Sequence, residues 1–420
     1  MYKRTALDNG LRVVTSSLPH THSASISFFV GAGSRYETDE QAGVSHFLEH
    51  MLFKGTKRRP TPREVSEEIE GIGGLLNAAT DKELTVYWAK VGDQHFDRAL
   101  DVLADNLLHS RFQPTEIEKE RRVIFEELAM TEDSPGDLAG LLIDEVVWPD
   151  QPLGRDVGGS VGTVKALDRA TMRNYLRQQY VPENTVLAVA GNVAHDQVVQ
   201  AALKHLGSWR RAPFGTWRPA VDGQHPNPRV RVRHKQTEQA HFCLAVHAYN
   251  SDHPDRYALD VLNTVLGDGM SSRLFLEIRE KRALAYDVHS YVNRFIDSGS
   301  LVVAASVEPK KAVETVQVAV EQLAQVRQAV PESELNKARE SLKGRLQLRM
   351  EDTGSVASWL GRQELLKKQI VTVDEILKIL DSVTASDLQR VANDLFRPEA
   401  LNLAVVGPFK SPSRFERAMQ

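Results

Sequence analysis

The chain has 420 residues, 41% hydrophobic and 26% charged, which is typical of a globular protein with more than one domain. A net charge of −4 and a pI near 6.4 exclude the basic surface of a nucleic-acid-binding protein. A single cysteine excludes a disulfide framework, and no apolar run is long enough for a signal peptide or a membrane span. We therefore expect a cytoplasmic protein with no nucleic-acid or membrane partner.

The predicted elements begin with strands in residues 2–33, where the segment 25–30 alternates between small polar and apolar side chains. The next segments predict a helix over 41–53, a short helix over 63–69, and a strand that opens over 73–80 and resumes over 84–89. An amphipathic helix over 93–109 and a further helix over 116–131 follow.

The helix predicted over 41–53 carries the motif His46-x-x-Glu49-His50. At about 100° per residue, both imidazoles and the carboxylate share one face of this helix. The opposite face is apolar and consists of Val44, Phe47, Leu48, Met51 and Leu52. Two histidines four apart with an adjacent carboxylate are typical of a metal site, in the inverse order of the zincin motif. A surface helix can also carry such residues without a function, and a catalytic zinc needs a third protein ligand.

The helix predicted over 116–131 supplies candidates for that ligand. Glu120 and Glu127 lie about 20° apart on its apolar side, whereas Glu126 points about 100° further round, towards solvent. A carboxylate that faces a core is unfavourable unless it is paired or binds a metal. We therefore predict Glu127 as the third ligand and Glu120 as a partner that orients a histidine, with a buried ion pair as the alternative for Glu120.

The remaining elements of the first half are a helix over 138–147, a helix over 168–179 and a buried strand over 185–191. The glycine-rich segment 154–162 matches neither a dinucleotide-binding nor a phosphate-binding loop, so we interpret it as a plain loop. Residues 209–228 are rich in proline and polar residues without periodicity, and we place a linker there.

The second half of the chain repeats the order of elements of the first. Matching Lys119 to Lys337 puts Ala338 and Arg345 where Glu120 and Glu127 stand, and the apolar segment 261–266 takes the place of the metal-binding helix. The second copy therefore cannot bind the metal, which argues that the polar residues of the first copy serve chemistry. We predict an α+β fold of two homologous domains, each a mostly antiparallel sheet packed against helices, over 1–210 and 226–420.

Four segments together resemble the pitrilysin/insulinase family of metallopeptidases, the inverzincins, specifically the half-length branch that includes bacterial relatives of the mitochondrial processing peptidase. They are residues 43–56, the motif Gly73-Gly74-x-x-Asn77-Ala78, and residues 120–127 and 269–286. The resemblance covers essentially the whole chain. It departs at Asp268 and Ala283, where relatives usually have glycine; the first change alters a loop and the second restricts the backbone.

The resemblance implies that His46, His50 and Glu127 hold one Zn²⁺ per chain, with Glu120 beside them. Glu49 is then the base, which takes a proton from the metal-bound water and passes it to the leaving amine. The implied activity is that of a zinc-dependent endopeptidase acting on extended or unfolded peptides.

The resemblance also implies substrate-binding residues outside the motif. Arg279 and Tyr286 would bind or polarise the scissile carbonyl, although the residues alone indicate a surface arginine and a packed tyrosine. Asn77 and Ala78 would lie on the sheet edge to which a peptide adds as a strand. Phe47 is placed in the same substrate-binding set.

Full-length relatives enclose their substrate between four such domains, whereas this chain has two, so we expect a dimer: a homodimer, or a heterodimer with a related chain. Two other functions stay open. Relatives serve as non-catalytic partner or core subunits of processing complexes, and a zinc hydrolase could act on something other than peptides. Metal analysis tests the first alternative and a peptide assay tests the second.

Overall fold

A computed structural model of the chain describes residues 2–221 and 229–419. The described residues form two compact units: unit 1 comprises Met1–Leu128, Asp156–Arg218 and Gln347–Val371, and unit 2 comprises Ala129–Arg155, Pro219–Leu346 and Thr372–Gln420. Of the linker predicted over 209–228, residues 209–221 form no helix or strand, and residues 222–228 lie outside the described part.

Short runs of strands are followed by runs of helices in both halves of the chain. The strands are β1 (Tyr2–Ala6), β2 (Arg12–Ser17), β3 (Ser23–Val30), β4 (Leu75–Thr80), β5 (Thr85–Gly92), β6 (Thr185–Gly191), β7 (Arg229–His234), β8 (Ala240–His247), β9 (Ala285–Arg294), β10 (Gly299–Val307) and β11 (Asn402–Gly407). The helices are α1 (Val44–Leu52), α2 (Pro62–Glu70), α3 (Phe96–His109), α4 (Pro114–Asp133), α5 (Pro135–Val147), α6 (Val161–Ala166), α7 (Arg169–Gln179), α8 (His195–Leu206), α9 (Arg256–Leu266), α10 (Ala312–Gln325), α11 (Glu332–Arg349), α12 (Thr353–Lys367), α13 (Val373–Ser382), α14 (Ala385–Leu395) and α15 (Ser413–Ala418). Within the described ranges, no helix has both the length and the apolar composition that crossing a membrane requires.

Each unit contains one mixed sheet. In unit 1 the strand order is β1-β2-β6-β3-β5-β4, and in unit 2 it is β7-β11-β8-β10-β9. One pair in each sheet is parallel, β2 with β6 and β7 with β11, and the other pairs are antiparallel. Without β1 the two orders are equivalent, strand by strand. The predicted α+β fold of two duplicated domains with mostly antiparallel sheets is therefore confirmed.

The sheet of unit 1 is covered by helices on both faces, which explains why β6 is buried along its whole length. On one face, α1, α3 and α8 pack on the strands around a core that includes Ile26, Phe28 and Leu187. On the other face α12 packs on β2, β3 and β6. Helix α1 is thereby held between the sheet and the rest of the unit 1 core.

Each half of the chain contributes one helix to the unit that is built mainly from the other half. These two helices are α5 and α12, and we call them the exchanged helices. Helix α12 belongs to the second half but packs in unit 1, where a Cβ atom at Gly361 would lie 2.2 Å from the Phe29 ring. Only glycine allows this approach. Helix α5 belongs to the first half but packs in unit 2, on β8 and β11. The sequence pattern indicated neither exchange, and the division at 1–210 and 226–420 stays our proposal for the two duplicated halves.

The only cysteine of the chain, Cys243, is in β8 and is 3% exposed, as expected for a strand thiol. Burial raises the pKa of this thiol to about 12, so it is protonated at neutral pH. Cys243 is therefore a core residue of unit 2 and not a nucleophile.

Candidate metal centre

Helix α1 is fixed at its amino-terminal end by a buried carboxylate. The Glu37 carboxylate accepts hydrogen bonds from the backbone N–H groups of Gly43 at 2.8 Å and Ser45 at 2.7 Å, which would otherwise lack partners in the first turn. Gly43 has φ 94°, and a Cβ atom there would lie 2.6 Å from the carbonyl oxygen of Gly158. Glycine is therefore required where the chain enters the helix.

The apolar face of α1 is buried as the sequence predicts: Val44, Phe47, Leu48, Met51 and Leu52 are each at most 1% exposed. This burial shows that the assignment of Phe47 to the substrate-binding set was wrong. Phe47 projects from the face opposite the histidines into the core, where the Arg121 guanidinium lies 5.4 Å from its ring centre. A fully buried ring cannot contact a substrate, so Phe47 anchors the helix instead.

Three side chains from α1 and α4 converge on one point. The Nε2 atoms of His46 and His50 are 3.3 Å apart, and they lie 3.7 Å and 3.6 Å from Oε2 of Glu127. In a tetrahedral zinc site with bonds of about 2.0–2.1 Å, two ligand atoms are separated by roughly 3.3 Å. Among the described residues, this is the one group of histidine, cysteine and acidic side chains whose ligand atoms lie close enough to share a metal ion. The donor set and its spacing fit Zn²⁺.

The electrostatics of the cluster also suit a cation. Burial, and to a lesser extent the neighbouring His50, lower the pKa of His46 to about 4, so this imidazole is neutral and keeps a lone pair at neutral pH. The buried Nδ1 of His46 has no hydrogen-bond partner among the described residues. Three carboxylates (Glu49, Glu120 and Glu127) and one ammonium (Lys54) give the surroundings a formal charge of −2 when all are ionised, which a divalent cation would offset.

Glu120 joins His50 to a lysine that the sequence reasoning missed. Its Oε2 is 3.1 Å from Nδ1 of His50, and its Oε1 is 2.8 Å from Nζ of Lys54. Burial alone would raise the pKa of Glu120, but the bonds to His50 and Lys54 outweigh burial and lower it. Orienting a histidine and forming a buried ion pair are the two alternative roles that the sequence suggests for Glu120. The structure shows both contacts, the first with His50 and the second with Lys54. Lys54 follows His50 by four residues, but α1 ends at Leu52, so helical spacing alone does not place Lys54 beside Glu120.

The structure also separates the two neighbouring glutamates of α4. Glu127 is half-buried and faces the histidines, whereas Glu126 is exposed. Val123, an apolar residue of the same helix, is 42% exposed. The register of α4 therefore turns Glu127, and not Glu126, towards the histidines.

Glu49 contacts a residue of the sheet that the sequence reasoning also missed. The Thr80 hydroxyl donates a hydrogen bond of 2.5 Å to Oε2 of Glu49. Burial raises the pKa of Glu49, and the bond from Thr80 opposes this shift. Thr80 is the last residue of β4. The one feature of the sequence that could have pointed to its contact with Glu49 is that Thr80 shares a face of this strand with Ala78, a predicted substrate-binding residue.

Strand β4 is at the edge of its sheet, and within the described residues it pairs with β5 alone. Leu75, Asn77 and Ala79 are exposed along it. The Asn77 side-chain oxygen accepts a hydrogen bond of 2.8 Å from the Ala78 N–H. The predicted substrate-binding residues Asn77 and Ala78 therefore lie on an open sheet edge. They precede Thr80, which contacts Glu49, by three and two residues.

Arg279 and Tyr286 are brought together within unit 2. A guanidinium nitrogen of Arg279 donates to the carbonyl of Tyr286 at 3.0 Å, and the guanidinium carbon is 4.6 Å from the centre of the Tyr286 ring, which is 76% exposed. The turn between them includes Ala283 with φ 47°. This conformation costs a side-chain-bearing residue roughly 1 kcal/mol, which is a physical reason for glycine in relatives.

The other departure, Asp268, forms a two-pronged ion pair with Arg345, with N–O distances of 2.8 Å and 2.7 Å. Arg345 stands in the second copy at the position of Glu127 in the first. A cation therefore occupies the aligned ligand position and is itself bound to a carboxylate, which is consistent with a second copy that holds no metal.

Comparisons with known proteins identify the family of the chain. Residues 12–160 match the model of the insulinase family (peptidase family M16), and residues 166–342 match the model of the peptidase M16 inactive domain. The chain is 38% identical to the "uncharacterized zinc protease YmxG" of Bacillus subtilis over 97% of this chain and 98% of that protein, and 39% identical to an "uncharacterized zinc protease" of Mycobacterium leprae over 99% and 94%.

Two solved structures share the fold. The crystal structure of a protease from Helicobacter pylori has a TM-score of 0.91 at 24% identity and covers 97% of this chain and 99% of its own. A peptidase M16 inactive domain from Pseudomonas fluorescens has a TM-score of 0.90 at 18% identity and covers 98% of both chains.

Proposed function

This chain belongs to the M16 (insulinase) family of peptidases, and we propose that it is a zinc-dependent endopeptidase that cleaves extended or unfolded peptides. Its relatives in Bacillus subtilis and Mycobacterium leprae are named zinc proteases. The observation that carries the proposal is the convergence of His46, His50 and Glu127, whose ligand atoms are 3.3–3.7 Å apart.

His46, His50 and Glu127 would hold one Zn²⁺ per chain. When bound, the ion supplies a water of lowered pKa and a Lewis acid for the scissile carbonyl. Glu49, on the same face of α1, accepts the proton of the attacking water on its carboxylate and returns it to the leaving amine nitrogen. Glu120 receives the Nδ1 hydrogen of His50, which fixes the tautomer that leaves Nε2 free to bind the metal.

The open edge of β4 supports the preference for extended substrates. A peptide that adds to this edge forms main-chain hydrogen bonds, which only an unfolded or extended segment can offer. Asn77 and Ala78 lie on this edge, and Thr80 at its end contacts Glu49. A substrate strand on β4 would therefore run beside the base.

Removing the zinc should abolish cleavage of an internally quenched, unstructured peptide, with a loss of roughly 10³-fold in turnover, because the chain's own residues cannot replace a Lewis acid. Metal content per chain, turnover after chelation, and recovery on adding back one equivalent of Zn²⁺ are the measurements. Full activity in the metal-free protein would contradict the proposal. A purified protein with neither zinc affinity nor activity would favour the non-catalytic subunit.

We also propose that the chain acts as a dimer, a homodimer or a heterodimer with a related chain. The three metal-binding residues belong to unit 1, whereas Arg279 and Tyr286 belong to unit 2. In the proposed dimer the metal-binding residues of one chain are completed by Arg279 and Tyr286 of the other, around an enclosed chamber. A cytoplasmic location, whose reducing environment suits a chain with a single cysteine, is likewise a proposal.

Mixing a Glu49→Gln chain with a Tyr286→Phe chain should restore activity that neither chain has alone, because one of the two sites of the mixed dimer then has every group intact. Turnover of the mixture, with subunit exchange followed by mass spectrometry, is the measurement. Mixing either variant with itself is the control. If the chains exchange and no activity returns, or if a monomer is fully active, the shared site is wrong.

A further inference from the structure

Among the described residues, the hydrogen-bond partner of the Glu49 carboxylate is Thr80, which belongs to the sheet. The bond from the Thr80 hydroxyl to Oε2 is 2.5 Å, at the lower end of the range for a hydroxyl that donates to a carboxylate. Thr80 is half-buried at the end of β4, and Glu49 is half-buried on the polar face of α1. The bond thus connects two different elements of unit 1.

The direction of this bond follows from the hydrogens available. An ionised carboxylate carries none, so Thr80 must donate to Glu49. The neighbouring Thr85 hydroxyl, 3.4 Å from Thr80, has its own acceptor in the carbonyl of Ala32 at 2.9 Å. The single hydroxyl hydrogen of Thr80 is therefore committed to Oε2 of Glu49, and Oε1 is the oxygen left to accept a proton.

We propose that Thr80 is a positioning residue, which holds the Glu49 carboxylate in the orientation that general-base catalysis needs and links it to the strand on which the peptide is proposed to dock. This inference rests on the proposed peptidase function. Because Thr80 ends β4, the bond from its hydroxyl links the position of the edge strand to the orientation of the base. Binding of an extended substrate and alignment of the base are coupled in this way.

The test compares Thr80→Val, which keeps the shape of the side chain but lacks the hydroxyl, with Thr80→Ser, which keeps the hydroxyl. We expect Thr80→Val to lower kcat by roughly 30–100-fold with KM within about twofold, because a misoriented base slows proton transfer without weakening substrate binding. Thr80→Ser should stay within about threefold of the wild type. Zinc per chain should not change in either variant.

Thr56→Val is the matched control. Thr56 donates a comparable 2.6 Å bond to the buried carboxylate of Asp105, which is not one of the candidate metal ligands, so its loss tests a general effect on stability. It should lower the melting temperature and leave kcat unchanged. An equal loss of kcat in Thr56→Val, or a Thr80→Val variant within twofold of wild-type turnover, would overturn the inference.

Crystal structures of the metal-free wild type and of Thr80→Val give a readout that needs no activity. Glu49 should occupy one conformation in the wild type and more than one in Thr80→Val. An unchanged, single Glu49 conformation in the variant would refute the role of Thr80. If the wild type cleaves no peptide, the proposed function fails, and this comparison still decides whether Thr80 holds Glu49.

Discussion

Replacing Glu49 with glutamine is expected to reduce peptide turnover by about 10³-fold or more while zinc stays bound. Glutamine has the size of glutamate, and its amide oxygen can still accept the Thr80 hydroxyl, but it cannot take up a proton at neutral pH. Glu49 is also outside the group of three ligand atoms that converge on the metal position. Turnover and zinc per chain, measured on the same preparation, check this expectation.

Glu126→Gln is a suitable control for this experiment, because it makes the same chemical change at an exposed position of unit 1. Its turnover should match that of the wild type. If Glu49→Gln loses its zinc together with its activity, Glu49 would have to be a ligand and the assignment of the base would be wrong. If the variant retains substantial turnover, another group must accept the proton.

Zinc affinity should fall by at least 100-fold in Glu127→Gln and stay unchanged in Glu126→Gln. Glu127 directs its Oε2 to within 3.7 Å of both imidazole Nε2 atoms, whereas Glu126 is exposed about 100° round the same helix. An amide oxygen is neutral and binds Zn²⁺ more weakly than a carboxylate. Competition with a chromogenic chelator, at fixed pH, gives the two affinities.

The two glutamates are neighbours on α4 and share its stability, so the comparison isolates the direction in which each side chain points. Equal losses in both variants would indicate damage to the helix. A loss confined to Glu126→Gln would mean that α4 has a different register from the one described.

Helical periodicity predicts which faces of α1 and α4 carry the residues of the candidate metal centre. His46 and His50 are four apart on α1, and Glu120 and Glu127 are seven apart on α4, so each pair is on one face wherever the helices pack. The burial of hydrophobic residues then decides which face is inward. The same reasoning places Phe47 on the apolar face of α1 and therefore in the core. The assignment of Phe47 to the substrate-binding residues was wrong because it disregarded this position on the helix.

Contacts between elements distant in sequence were not predicted. The bond from Thr80 to Glu49 depends on how α1 packs beside β4, and no local pattern encodes that distance. Lys54 follows the last residue of α1 by two positions, so its reach to Glu120 depends on how the chain leaves the helix. Arg279 and Tyr286 were identified through the family resemblance alone, since their contact requires the left-handed turn at Ala283.

The exchanged helices impose an order on folding during synthesis. The face of β3 and β6 that α12 covers carries Phe29, Val186, Ala188 and other apolar residues. Strand β6 ends at Gly191 and α12 begins at Thr353, so this face stays uncovered while the intervening residues are made. Contacts over such a separation form slowly, because a long loop must close first. The metal-binding unit is therefore completed only when most of the second half has left the ribosome.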